Sequence, residues 1–206
     1  MKTLSLSKVA KIRSGFSFRE KIREVEKGDV RLLQIRDLRQ QQTPLKLTRL
    51  CTETLPQINW TGKSNALLEP PSVLIPARGD YHLAALFDAS TKVIASSQLL
   101  IIRSTCTRLI PAYLCWFLNQ KTTQHFLVSE SRGSKMSLLS RASLAAMPID
   151  LPPLLVQQKI IRLQQIWEQE QQMIIQLQLN REEMIKGLFQ QLMCSGTTSA
   201  EKAEDN

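Results

Sequence analysis

The sequence predicts an α+β fold: a sheet-rich domain followed by one long C-terminal helix of coiled-coil type. Three observations carry this. Short apolar runs such as Val73–Ala77 and Gln98–Arg103 recur between turn clusters over the first 110 residues, a strand-and-turn rhythm rather than βαβ repeats. From Pro111 to Val128 the apolar residues shift to helical spacing. After Pro153 comes a stretch rich in Gln, Leu, Ile, Glu and Met, with no proline and a single glycine, Gly187, up to Met193.

In chain order, Leu4, Leu6, Val9, Ala10 and Ile12 fit a strand or a short helix, broken at Arg13-Ser14-Gly15 before Phe16 and Phe18. A charged stretch from Arg19 to Asp29 reads as surface. Val30 to Leu38 is expected as a strand running into a loop, with Gln40 to Pro44 as that loop and Asn59 to Asn65 as a second polar turn. Val73 to Ala77 reads as a buried strand, Leu83–Phe87 and Val93–Ala95 as short apolar runs, and Gln98 to Arg103 as the clearest strand. Pro111 suits a first helical position, because its missing N–H would be unpaired there anyway. Pro148, Pro152 and Pro153 predict extended chain from Met147 to Pro153, since proline disfavours the α region for its predecessor. Three regions follow: a domain over 1–150, a helix over 151–193, and a polar tail over 194–206 expected to be disordered.

The long helix takes a heptad. One seam position holds Ile160, Trp167, Ile174, Arg181 and Leu188; the other holds Leu163, Glu170, Leu177, Met184 and Gln191. Seven of these ten are apolar, which fits a coiled-coil seam interrupted by polar residues. The 38 residues from Val156 to Met193 span ~57 Å, against a radius of gyration of ~15 Å for a 150-residue domain. A partner helix is therefore expected to cover the seam residues Ile160, Leu163, Trp167, Ile174, Leu177, Met184 and Leu188, the alternative being that the helix folds back on the chain's own domain.

Charge divides the chain. The net charge is +9, yet residues 1–150 hold 22 of the 27 basic and only 11 of the 18 acidic residues. A basic domain beside a nearly neutral helix points to an anionic partner for the domain. Cys51, Cys106, Cys115 and Cys194 show no C-x-x-C spacing and read as reduced and structural. Two histidines, His82 and His125, are too few for a histidine-rich metal site. No secretory leader and no run of ~18–20 apolar residues is present, which leaves a cytoplasmic expectation. Nucleophile-elbow, phosphate-loop and dinucleotide glycine patterns are missing, so the expectation is a binding protein rather than an enzyme, with no cofactor of its own.

Candidate contacts to nucleic acid follow from side-chain chemistry. Arg132-Gly133-Ser134-Lys135 joins two cations to a flexible glycine and a hydroxyl, a set suited to phosphate. Arg78, Tyr81 and His82 follow a strand and carry groups able to reach base edges, and Gln98 can read adenine. Arg36, Arg39, Lys46, Arg49 and Lys92 are candidate phosphate contacts. Each cation taken singly reads first as a solubilising surface charge, and each loop also as an ordinary turn.

Several segments together resemble one half of the DNA-specificity subunit of type I restriction–modification systems. They are Leu6 to Phe18; Leu33 to Leu38; Val73 to Gly79; Pro111-Ala112-Tyr113-Leu114; Gly133 to Leu139 with Leu144; and the junction Met147 to Leu154 with Gln157 and Ile160. Departures are Val156 where the family often has Glu, and Asp80-Tyr81-His82 after Arg78-Gly79 where a second glycine is usual. The resemblance implies a target-recognition domain with a spacer helix, and two such helices pairing antiparallel. It also implies methyltransferase partners that bind S-adenosylmethionine, and an ATP-driven restriction subunit. A single recognition domain and helix would then act as a homodimer on a bipartite, palindromic site. The alternative is a non-catalytic interaction or regulatory protein that docks on partner complexes through its helix.

Overall fold

A computed structural model describes residues 2–18, 22–41, 49–132 and 138–201, with residues 2, 132 and 194–201 described by backbone alone. Its contacts divide into two compact units, residues 1–164 and 165–206.

In the first unit, β1 (Lys2–Ser5) is followed by a helical turn and β2 (Ala10–Ser14). Next come β3 (Val30–Leu33), α1 (Ile35–Gln41), β4 (Gln57–Ile58) and β5 (Ser72–Pro76). β6 (Ala85–Phe87), β7 (Val93–Ala95) and β8 (Leu99–Ser104) complete the sheets of the middle region. Three helices follow: α2 (Pro111–Leu118), α3 (Lys121–Arg132) and α4 (Arg141–Ala146). β9 (Pro148–Leu151) then leads into α5 (Leu154–Glu201), which continues into the second unit.

The strands form three sheets with orders β1-β9, β2-β8-β5-β6 and β4-β3-β7. The four-stranded sheet is antiparallel throughout, whereas β3 and β7 run parallel. Period-two geometry explains why β5 and β8 read as unbroken apolar runs. Val73, Ile75, Leu100 and Ile102 face a core shared with α2 and α4, while Leu74, Leu99 and Ile101 face a second core containing Leu33, Leu38, Phe87 and Ala95. Both faces of this sheet are covered, so alternation disappears.

The segment after β3 departs from the expected strand-and-loop: it turns helical at Ile35. The Gln34 backbone N–H donates to the Asp37 carboxylate at 2.9 Å, a side chain in the first turn satisfying the residue just before the helix. That local bond and the burial of Leu38 outweigh the β-branched start of the segment.

The junction before α5 is tightly specified. β9 pairs antiparallel with β1, placing Leu4 opposite Ile149. Gln157, fully buried in the first turn of α5, donates from Nε2 to the carbonyls of Arg108 (2.7 Å) and Pro152 (2.8 Å) and accepts the Ile110 N–H on Oε1 (3.0 Å). The Tyr113 hydroxyl donates to the Asp150 carbonyl at 2.9 Å. Burial, with Asp150 adding to it, pushes the Tyr113 phenol up to about 12. Downstream, α5 is described through Glu201, so residues 194–201 continue the helix where a tail was expected. No proline interrupts this segment, and a lone glycine, Gly196, costs a helix only ~1 kcal/mol. The remainder of the expected tail lies outside the described residues.

Candidate nucleic-acid interface

Topology collects one end of the strands into a single edge. Because β3 and β7 are parallel, their C-terminal ends coincide, and the Ser96 N–H donates to the Leu33 carbonyl at 2.9 Å. β7 turns through Ser96, Ser97 and Gln98 into β8, so the start of β8 lies at the same edge. The antiparallel partners of β8 end there too: Ser14 of β2 opposite Leu100 and Pro76 of β5 opposite Leu99. The loops leaving these ends carry Gly15-Phe16, Arg36 and Arg39, Arg78 to Tyr81, and Gln98.

Specific contacts draw the loops closer. The Ala77 N–H donates to the Gln98 carbonyl at 2.9 Å, and the Leu139 N–H donates to the Ala77 carbonyl at 2.8 Å. Arg78 forms a bridge with Leu138. The Arg39 guanidinium donates from Nη2 to the Arg78 carbonyl at 2.7 Å. Gly79 is required here by its backbone conformation. Its φ is +103°, and a Cβ would overlap the Arg39 guanidinium. The glycine leaves room for the Arg39 guanidinium beside the Arg78 carbonyl. Gly15 has a similar role, since a Cβ there would collide with the Ser96 carbonyl.

The sequence candidates now separate. Arg39, Arg78, Tyr81 and Gln98 are exposed at this edge, Tyr81 at 74%. Arg39 and Arg78 make no ion pair among the described residues. Arg36 lies at the same edge but pairs with Glu24 (2.8 Å) and Asp37 (3.4 Å), so part of its charge is already answered. Arg49, outside the cluster's loops, pairs with Asp88 at 3.3 Å. Lys92 falls at the opposite end of the three-stranded sheet, where its carbonyl accepts the Arg31 N–H. It does not join the cluster, because β7 carries its two ends to opposite edges. Arg132 ends α3 and is described by backbone alone; Ser134, Lys135 and Lys46 lie outside the described residues.

His82 is a correction. Its side chain is wholly buried and cannot reach a base edge. The ring Nδ1 lies 2.8 Å from the Pro76 carbonyl, a bond that needs the proton on Nδ1. Its backbone is clamped by Gln124, which donates to the His82 carbonyl at 2.9 Å and accepts its N–H at 3.3 Å. Burial pulls the imidazole pKa below its usual value, the Pro76 carbonyl opposes this, Arg39 adds to it, and Asp80 opposes it. His82 therefore anchors the Arg78 loop from beneath.

An aromatic group missed in sequence starts from this edge at Phe16 and reaches Trp60, whose backbone N–H is held by the Asp29 carboxylate before β3. Phe16, tied to the edge by its N–H to the Ala95 carbonyl (2.7 Å), meets Phe18 and Trp60 edge-on, with ring centroids 5.0 and 4.9 Å away. The three rings line a cavity of about 1630 Å³ with Arg23, Asn59 and Thr61. Trp60 Nε1 is buried without a partner among the described residues. Nothing in the linear spacing ties residue 60 to residue 16.

Chemically, the edge offers two arginines for phosphate oxygens or the guanine major-groove edge, an amide for adenine, and an exposed phenol for stacking or apolar contact. On α5, Leu163, Ile174, Leu177, Met184 and Leu188 are each at least half exposed, from 50% at Leu188 to 67% at Leu163, and Trp167 is partly so. Ile160 is the exception among the expected seam residues: it is half-buried against the core of its own domain and is withdrawn from the seam.

Residues 1–182 match the family of the type I restriction modification DNA specificity domain. Among solved structures, the chain is similar to the HsdS subunit from Thermoanaerobacter tengcongensis, at 20% identity and TM-score 0.57, over 82% of this chain and 37% of that one. It is also similar to a chain from a structure of complex assembly and conformational transition of the type I R-M system (20%, TM-score 0.62, 91% and 43%). A third similarity is to the type I restriction-modification system S subunit from M. genitalium (10%, TM-score 0.53, 82% and 39%). The chain thus spans 37–43% of the length of these structures. No curated protein matches it.

Proposed function

The chain belongs to the type I restriction modification DNA specificity domain family, and on that premise we propose that it is a non-catalytic subunit that binds duplex DNA sequence-specifically. The observation that carries this reading is the gathering of Arg39, Arg78, Tyr81 and Gln98 on one edge of a basic domain. In this reading Arg78 and Gln98 address bases, and Arg39 and Arg36 address phosphate. The subunit directs methyltransferase partners, and an ATP-dependent restriction subunit, to a bipartite, palindromic site in the cytoplasm. It does so as a homodimer, each copy reading one half-site. No helix among the described residues is long and apolar enough to cross a membrane.

The test is binding of full-length protein to duplex DNA across a salt series, with and without the methyltransferase subunits. Affinity should fall steeply with salt as neutralised phosphates release counterions. Absence of binding at low salt in both arms overturns the reading. Loss of a gapped, palindromic methylated motif from host DNA on deletion of the gene tests the bipartite site directly.

The exposed apolar face of α5 favours a second reading: an interaction or regulatory protein that docks on partner complexes through the helix. Retained methyltransferase binding without specific DNA binding supports it over the first.

A further inference from the structure

We infer that the polar residues of α5 fix the register of the antiparallel helix pair that the family resemblance implies, setting Glu170 of each copy against Arg181 of the other. This rests on the homodimer reading above and goes beyond it, since that reading leaves the alignment of the two helices open.

The two polar residues are the clue. Glu170 and Arg181 sit on the same stripe as Trp167, Ile174, Leu177, Met184 and Leu188, and all of these are exposed or partly exposed. Neither charge makes an ion pair among the described residues. On an apolar seam each carries a desolvation cost that only an opposite charge in register can offset.

Polarity follows from charge. In a parallel pair every seam residue meets its own counterpart, so Glu170 would oppose Glu170 and Arg181 would oppose Arg181. An antiparallel pair related by a two-fold axis sets each position of one heptad class against the other class. With Ile174 of one copy opposite Leu177 of the second, the layers outward become Glu170 with Arg181, Trp167 with Met184, and Leu163 with Leu188. Symmetry repeats each layer. All six apolar seam residues that remain exposed thus meet apolar partners, and both charges meet opposite charges. Sliding by one heptad, ~10.5 Å along the helix, destroys this. In one direction Glu170 faces Ile174 and Arg181 faces Leu163; in the other Glu170 faces Leu188 and Arg181 faces Leu177.

Gly187 gives a second, separate indication. A glycine inside a helix is unfavourable, and a Cβ there would meet nothing within its own chain. In the same antiparallel register Gly187 flanks Ile166 of the second copy, a bulky exposed side chain against an absent one. The register also ends where it should: the next layer would need Ile160, which is already engaged by its own domain.

The experiment compares full-length wild type, Glu170→Arg, Arg181→Glu and the double variant Glu170→Arg/Arg181→Glu by sedimentation equilibrium, with circular dichroism to confirm equal helix content. Each single change creates two like-charge contacts per dimer and should raise the dissociation constant about tenfold or more. The double change restores opposite pairing and should return the constant to near the wild-type value. Singles that leave a wild-type dimer intact, or a double variant that stays dissociated, overturn the register while leaving the homodimer standing. A monomeric wild type overturns both the register and the homodimer on which it rests.

Discussion

The two ends of this chain dispose of apolar side chains in opposite ways. In the domain, Val73, Leu74, Ile75 and Leu99 to Ile102 are buried on both faces of one sheet, and the side-chain amides of Gln157 and Gln124 hold fixed backbone partners. In α5 beyond residue 164, Met173, Ile174, Leu177, Met184 and Leu188 are at least half exposed. The domain has completed its burial within one chain; the helix has not. Exposed apolar stripes of this kind mark surfaces that a partner covers. The difference assigns complementary tasks, with a closed domain presenting an exposed polar edge and an open helix presenting an apolar seam.

Changes to the helix should alter assembly without altering the domain. Ile174→Glu with Leu177→Glu places two charges at the centre of the seam and should abolish dimerisation, read by light scattering, while the thermal midpoint of the domain stays unchanged. Survival of the dimer removes this face from the interface.

Changes to the domain interior should do the reverse. Gln157→Leu strips the Arg108 and Pro152 carbonyls and the Ile110 N–H of their buried partner. The expected loss is about 2–4 kcal/mol of stability in denaturant unfolding, since unsatisfied buried polar groups carry their full desolvation penalty. An unchanged midpoint would mean that α5 is held by apolar contacts alone.

At the edge, Arg78→Ala should weaken specific DNA binding by about 1–3 kcal/mol if it reads a base, and Arg39→Ala should lower the salt slope by about one. Lys92→Ala, at the opposite end of the sheet, should change neither. Equal effects at Arg78 and Lys92 in a competition assay would dissolve the edge as a distinct site.

The smallest effect concerns pH. With the Tyr113 phenol pushed up to about 12 in the folded chain against an ordinary 10.0, both states are protonated below pH 10 and stability is flat there. Between about 10 and about 12 the unfolded chain releases the proton first, so stability falls as pH rises. Tyr113→Phe should flatten that decline in a pH series of melts, at the expense of the bond to the Asp150 carbonyl.

Sequence alone determined the features that depend on neighbours along the chain. The apolar runs of β5 and β8, the proline at the start of α2, the extended prolines before α5 and the heptad of α5 are all local patterns with local causes. So is the Arg78-Gly79 pair, although its purpose was hidden. Where local pattern misled, a tertiary contact had intervened: Leu38 turned inward and drew its segment into α1, and His82 was drawn from the surface to the carbonyl of Pro76. Tertiary structure alone decided which candidates stand together. Residues 39, 78 and 98 share an edge because β3 and β7 run parallel while β5 and β8 run antiparallel, and residue 92 is excluded by the same topology. Strand direction is a property of pairing between distant segments, and no spacing along the chain encodes it.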